Sequence, residues 1–224
     1  MGSDAFDSER VVDRADEIAA VGRSARDVLD VKHRAREATL SASRRTIQAC
    51  AAAIRAVHRA EFDAAEARIA EAASLLGEAD TEVAAHPDVR HGGYLHDAKK
   101  EFAEANLTLA FVRGDPLPPP EALHVEVPAY LNGMAEAASE LRRNLLDCLR
   151  AGRLERAEGL LGVMDDVYGL LVTVDYPDAL TGGLRRTTDA LRAVIERSRG
   201  DLTTTIVASR LQNRIDDLRH DTGV

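Results

Sequence analysis

Lys100-Glu101-Phe102-Ala103-Glu104-Ala105 and Tyr130-Leu131-Asn132-Gly133-Met134-Ala135-Glu136-Ala137-Ala138-Ser139-Glu140-Leu141-Arg142-Arg143 hold the residues of this chain best suited to chemistry. Glu101 and Glu104 stand three residues apart, and Glu136 and Glu140 four apart. On a helix either spacing places both carboxylates on one face. If those faces meet, four carboxylates converge, a set of hard oxygen ligands that suits Mg²⁺ (or Mn²⁺). Packing one segment against the other is the only way to unite the pairs. It predicts side-chain oxygens of the two pairs within roughly 4–8 Å, a span that one or two ions bridge. A cation so held neutralises charge developing on phosphate and supplies a nucleophilic water, which is the chemistry of phosphodiester hydrolysis.

Each pair taken alone is also what a solvated helix face looks like. Asp97, Glu101, Glu104 and Thr108 form a stripe that runs on into Phe111 and Val112, so its far end is expected to be buried. Met134, Ala138, Leu141 and Leu145 make the apolar stripe of the second segment, with Glu136 and Glu140 turned roughly the other way. A di-iron bundle needs Glu-x-x-His on two helices. The match here is Glu121-Ala122-Leu123-His124, directly behind three prolines, and one such motif does not make that site.

Positioning the carboxylates falls to helices. From about Ser8 to Ala60 the chain has no Pro, and apolar residues from Ile18 through Val57 recur at helical spacing, as one very long helix or two nearly collinear ones. A second helix is predicted over Glu61–Ala79, closed by a turn region around His86-Pro87 and Gly92-Gly93, and a third over Tyr94–Val112. Gly114-Asp115-Pro116-Leu117-Pro118-Pro119-Pro120 reads as a rigid crossover. A fourth helix starts near Pro128 and runs to Ala151-Gly152, and a fifth spans Arg153–Val172. A sixth runs from Tyr176-Pro177 to about Ser198, and Asp201-Leu202-Thr203 caps a last one ending near Arg219. Seven helices with no strand signal predict an all-α bundle, a single domain over residues 1–224 with residues 1–8 as a tail outside it.

The 224 residues suffice for a substantial core, and with aromatics at 4% and no Trp it must be built from Ala, Leu, Val and Ile. Cys50 and Cys148 lie in Ala/Leu-rich helical sequence without a CxxC partner, so they read as small core residues in a reducing compartment. The N-terminus is acidic and lacks the apolar run of a signal peptide, and no stretch approaches the ~18 apolar residues of a membrane span. These features point to the cytoplasm. A net charge of −9 argues mildly against a nucleic-acid partner, but a local Arg cluster still binds phosphate.

Three blocks resemble the translin family, specifically its nuclease-active branch, translin-associated factor X (Trax). They are Glu101-Phe102-Ala103-Glu104-Ala105, the Tyr-Leu-x-Gly…Glu-x-x-x-Glu-Leu-x-Arg block from Tyr130, and Arg36–Ile47 followed by His58-Arg59. The last is similar to the "Arg-Asp-x-Thr-x-x-Ser-Lys-Arg-x-Ile" stretch of the first Trax helix. The resemblance covers nearly the whole chain in order. It implies a seven-helix bundle, assembly into a closed hollow homo-oligomer, and Mg²⁺-dependent (or Mn²⁺-dependent) endoribonuclease activity inside. Translin itself lacks the first Glu-x-x-Glu pair and binds nucleic acid as a scaffold, whereas this chain keeps both pairs. The family pattern usually has Asp where this chain has Glu136, a longer ligand that shifts a bound ion by about a methylene. On this resemblance Glu101, Glu104 and Glu136 are the expected metal ligands, and Glu140 is a further ligand or a base. Arg44, Arg45, Lys99, Lys100, Arg142 and Arg143 are the candidates for binding RNA phosphates. The competing expectations are a non-catalytic scaffold for single-stranded RNA or DNA, with or without a translin-type partner subunit, and a purely structural helical oligomer.

Overall fold

The computed structural model describes residues 14–86 and 93–222. All regular structure among them is helical: α1 (Ala15–His58), α2 (Phe62–Val83), α3 (Tyr94–Arg113), α4 (Pro120–Leu123), α5 (Val127–Arg150), α6 (Leu154–Leu171), α7 (Asp178–Thr181) and α8 (Leu184–Thr222). The expected tail over residues 1–8 and most of the expected turn at Pro87–Gly92 lie outside the described residues. Among those described, no helix is long and apolar enough to cross a membrane.

Composition explains why α1 is one helix of 44 residues: it is Ala-rich, free of Pro, and has its single glycine at Gly22. Its buried residues begin only at Ala35 and then recur as Thr39, Ala42, Ser43, Thr46, Ala49, Cys50, Ala53 and Val57. The first five turns therefore project from the bundle, and the second half forms its wall. A connection of three residues turns the chain into α2, which packs back along α1, as such short links require. α3 is the central helix, lying against α1, α2 and α5. It is buried on several faces, from Leu95 to Phe111, and ends at Gly114, whose φ of 79° is the left-handed conformation that glycine adopts without strain. The Pro-rich crossover is tied down by the Tyr130 hydroxyl, which donates to the Pro118 carbonyl at 2.8 Å. α5 then carries the densest packing, touching α3, α6 and α8.

The carboxyl-terminal part departs from the sequence reading. The sixth and seventh predicted helices are one element: α8 runs through Gly200 without a break, preceded by the single turn α7. A glycine in a helix interior costs only about 1 kcal/mol, and tertiary packing on both sides offsets it. Ser198 and Leu202 are buried, Arg142 reaches both Ser198 and Asp201, and Arg199 pairs with Asp165 at 2.8 Å. Asn132 anchors the preceding turn by donating to the Thr181 carbonyl and accepting from the Thr187 hydroxyl, at 2.8 and 2.7 Å. Both cysteines are buried free thiols, as expected from their surroundings.

Candidate metal centre

Gly133 determines how closely α3 and α5 cross. A Cβ at this position would lie 2.6 Å from the Lys100 carbonyl oxygen, 2.9 Å from Ala103 Cβ and 3.0 Å from the Glu104 nitrogen. Any other residue would push the two backbones apart. Ala103, the side chain that such a Cβ would also meet, is fully buried, and the two helices are otherwise rich in fully buried alanine, at Ala105, Ala135, Ala137 and Ala138. Glu136, one turn after Gly133 on the same face, is thereby carried over Glu101 and Glu104.

Glu101, Glu104 and Glu136 each offer a carboxylate oxygen, and these oxygens all lie within 4.8 Å of one another. That separation falls inside the expected span. The burial of the three is unequal: Glu101 and Glu136 are half-buried, while Glu104 retains 7% of its surface. Burial, reinforced by the charges of Glu101, Glu136 and Glu140, pushes the Glu104 carboxyl up to about 9, against a smaller opposing effect of Lys100. Three oxygens at this spacing around a carboxyl that resists ionisation are a donor set suited to a hard divalent cation, whose charge removes that resistance. The Lys100 ammonium donates to Glu136 Oε2 at 2.6 Å and lies 3.3 Å from Glu101 Oε1. Burial would depress this ammonium, but Glu136 and Glu101 outweigh it and hold it above the ordinary lysine range. Cys50, on α1, is fully buried and near enough to feel the charges of Glu101 and Glu104. Burial first, then those charges, raise its thiol to about 12, so it stays neutral.

Glu140 takes a different partner. Its Oε2 lies 2.7 Å from His58 Nε2, and His58 Nδ1 lies 3.1 Å from Asn144 Oδ1. The His58 side chain retains 7% exposure and Glu140 38%, so the imidazole is the buried end of the pair. Glu140 still contributes to the electrostatics of Glu104, but it stands beside the group of three and is held by a histidine from α1. His58 and Asn144 carry no spacing signal that singles them out as its partners. Gly133 could have been noticed, as a lone glycine one turn before Glu136 in an Ala-rich helix.

The basic candidates divide. Arg44 and Arg45 on α1 and Arg143 on α5 are at least partly open to solvent. Lys99 is instead 4% exposed and bound to Asp80 at 3.3 Å and Glu126 at 3.1 Å, so it ties α3 to α2 and to the start of α5. Lys99 is thus a correction to the sequence reading, since a buried, doubly paired ammonium does not face a phosphate. Arg142 stays partly open to solvent but is paired across to α8, donating to Ser198 Oγ at 3.0 Å and Asp201 at 2.8 Å. Of the stripe on α3, Thr108 is fully buried and Asp97 is exposed.

No protein-family model matches the chain. It is 29% identical over 187 residues to an uncharacterized protein of Methanocaldococcus jannaschii, covering 82% of each. Among solved structures it is similar to AfC3PO, alone and in complex with duplex RNA. In both comparisons the TM-score is 0.72 and the identity 30%, over 83% of this chain and 97% or 96% of the other. Apo-NeC3PO has the same fold at a TM-score of 0.72 and 19% identity, over 83% of this chain and 96% of that one. With a 30% identical C3PO chain matched over nearly its full length, this chain belongs to the translin–Trax family of C3PO-type helical proteins.

Proposed function

We propose that this protein is a divalent-cation-dependent endoribonuclease whose copies assemble into a hollow homo-oligomer enclosing the carboxylate sites. The observation that carries the reading is the convergence of Glu101, Glu104 and Glu136 within 4.8 Å around a buried carboxyl pushed to about 9. A scaffold that only binds nucleic acid has no use for three acidic side chains packed at this cost. The likeness to AfC3PO, solved with duplex RNA, supports RNA as the substrate class. Assembly is supported by the same likeness and by apolar residues exposed on the projecting part of α1 and the far end of α8. Ile18 and Val21 are each 70% exposed, Leu29 62% and Leu211 61%.

Glu101, Glu104 and Glu136 would hold Mg²⁺ or Mn²⁺. Bound there, such an ion supplies neutralisation of phosphate charge and an acidified water. The remaining roles belong to the chain itself. Glu104 would be ionised when it holds the ion, its proton passing to solvent. Glu140, oriented by His58, would serve as a further ligand or as the base that takes the proton of the attacking water. Arg44, Arg45 and Arg143 contribute charge for RNA phosphates, interactions that position a strand without reading its sequence.

The test is incubation of the purified protein with labelled RNA, with and without Mg²⁺ or Mn²⁺, read on a denaturing gel. Cleavage that requires the ion and stops in excess chelator is the expected result. RNA binding without cleavage at any ion concentration would turn the reading to a scaffold, and neither binding nor cleavage to a structural oligomer. Light scattering should give a particle several times the 24.2 kDa of one chain.

A further inference from the structure

Lys100 is placed as no surface lysine would be. Its backbone is fixed at the tightest point of the α3–α5 crossing, where its carbonyl faces Gly133. From there its ammonium spans two helices, reaching Glu136 Oε2 at 2.6 Å and Glu101 Oε1 at 3.3 Å, with 21% of its side chain exposed. Those are two of the three residues whose oxygens lie within 4.8 Å. A divalent ion coordinated by Glu101 and Glu136 would compete with this ammonium for the charge of the same two carboxylates and for the space between them. The carboxylates are held by the crossing itself, whereas the lysine has a flexible four-carbon stem and an outlet to solvent.

We infer that Lys100 is an exchangeable counter-ion of this centre: it bridges Glu101 and Glu136, is displaced by the divalent cation, and is thereby released to bind an RNA backbone phosphate. The inference rests on the cation-binding reading of the three glutamates and adds a coupling between the two ligands. Cation binding frees a positive charge at the mouth of the site, so RNA and cation strengthen each other's binding. By linkage the coupling is reciprocal.

The experiment is Mn²⁺ titration calorimetry on the full-length protein without RNA, comparing the wild type with Lys100→Met and Lys100→Arg. Methionine keeps the apolar stem and removes the competing charge, so Mn²⁺ should bind roughly tenfold tighter or more. Arginine keeps the charge and forks across two carboxylates, so Mn²⁺ should bind as weakly as to the wild type or more weakly. Should Lys100→Met fail to fold, as judged by circular dichroism, the arginine comparison still decides: tighter Mn²⁺ binding in Lys100→Arg would overturn the exchange. A second measurement follows binding of an RNA made uncleavable by 2′-O-methylation, with Mn²⁺ raised from zero to saturation. The gain in RNA affinity should be several-fold larger in the wild type than in Lys100→Met. Equal Mn²⁺ affinity in the wild type and a folded Lys100→Met, or equal gains in RNA affinity, would refute the role of Lys100 while leaving the cation site standing. A folded wild type that binds no Mn²⁺ would remove the cation site itself, and the exchange with it.

Discussion

Replacing Glu104 by Gln tests whether the carboxylate cluster is strained by its own charge. The unfolded chain ionises this carboxyl near 4.5, while the folded protein holds it protonated up to about 9. Because the folded value is raised, its contribution to stability is fully present below 4.5 and is lost as pH climbs from 4.5 towards 9. At pH 7.5 the loss for one isolated group is about 1.36 kcal/mol for each of three pH units, a ceiling near 4 kcal/mol. Glu101, Glu136 and Glu140 share the interaction, so about 1–3 kcal/mol is the expected magnitude. Gln keeps the shape and one acceptor oxygen but never ionises, so Glu104→Gln escapes the loss. In chelator, wild type and variant should melt together at pH 4.5 and diverge by pH 7.5. The gap should be roughly 4–8 °C for a 2 kcal/mol difference in a chain of this size. Adding Mn²⁺ at pH 7.5 should raise the wild-type Tm and leave the variant nearly unmoved. Parallel melting curves at every pH would show that Glu104 ionises without penalty, and the electrostatic argument for the site would fall.

Other perturbations address the remaining parts. Glu101→Ala combined with Glu104→Ala should abolish RNA cleavage while RNA affinity stays equal or rises slightly, because two negative charges leave a surface that faces phosphate. Cleavage surviving in that variant would make these carboxylates structural. Arg44→Ala with Arg45→Ala should weaken RNA binding and reduce its logarithmic salt dependence by about 0.7–0.9 for each phosphate that is no longer neutralised. An unchanged slope would place the RNA elsewhere. Gly133→Ala should destabilise the fold by about 1–3 kcal/mol in urea denaturation, since its methyl would meet the Lys100 carbonyl at 2.6 Å. It should weaken Mn²⁺ binding as well, by spreading α3 from α5.

Much of the architecture is legible in the chain because helix formation here is a local matter. Absence of Pro over long Ala-rich runs marks α1 and α3, and the Gly114–Pro120 segment marks the crossover that follows α3. The sequence misleads at Gly200, where a locally weak residue is overridden by the packing of Ser198, Leu202 and Arg142. The i, i+3 and i, i+4 spacings determine that each glutamate pair shares a face, since 3.6 residues per turn leaves no alternative. The spacings do not determine which neighbour each member meets. The crossing at Gly133 joins Glu136 to Glu101 and Glu104, while α1, arriving from the other side, takes Glu140 with His58. The same holds for the cations: Arg44 and Arg143 stay open to solvent, Lys99 is buried between carboxylates of other elements, and Arg142, still partly open, is paired with Asp201 of α8. Sequence spacing determines direction within one helix, whereas burial and partner choice depend on how helices approach one another. That information is carried by small residues such as Gly133 only in combination with the surface they meet.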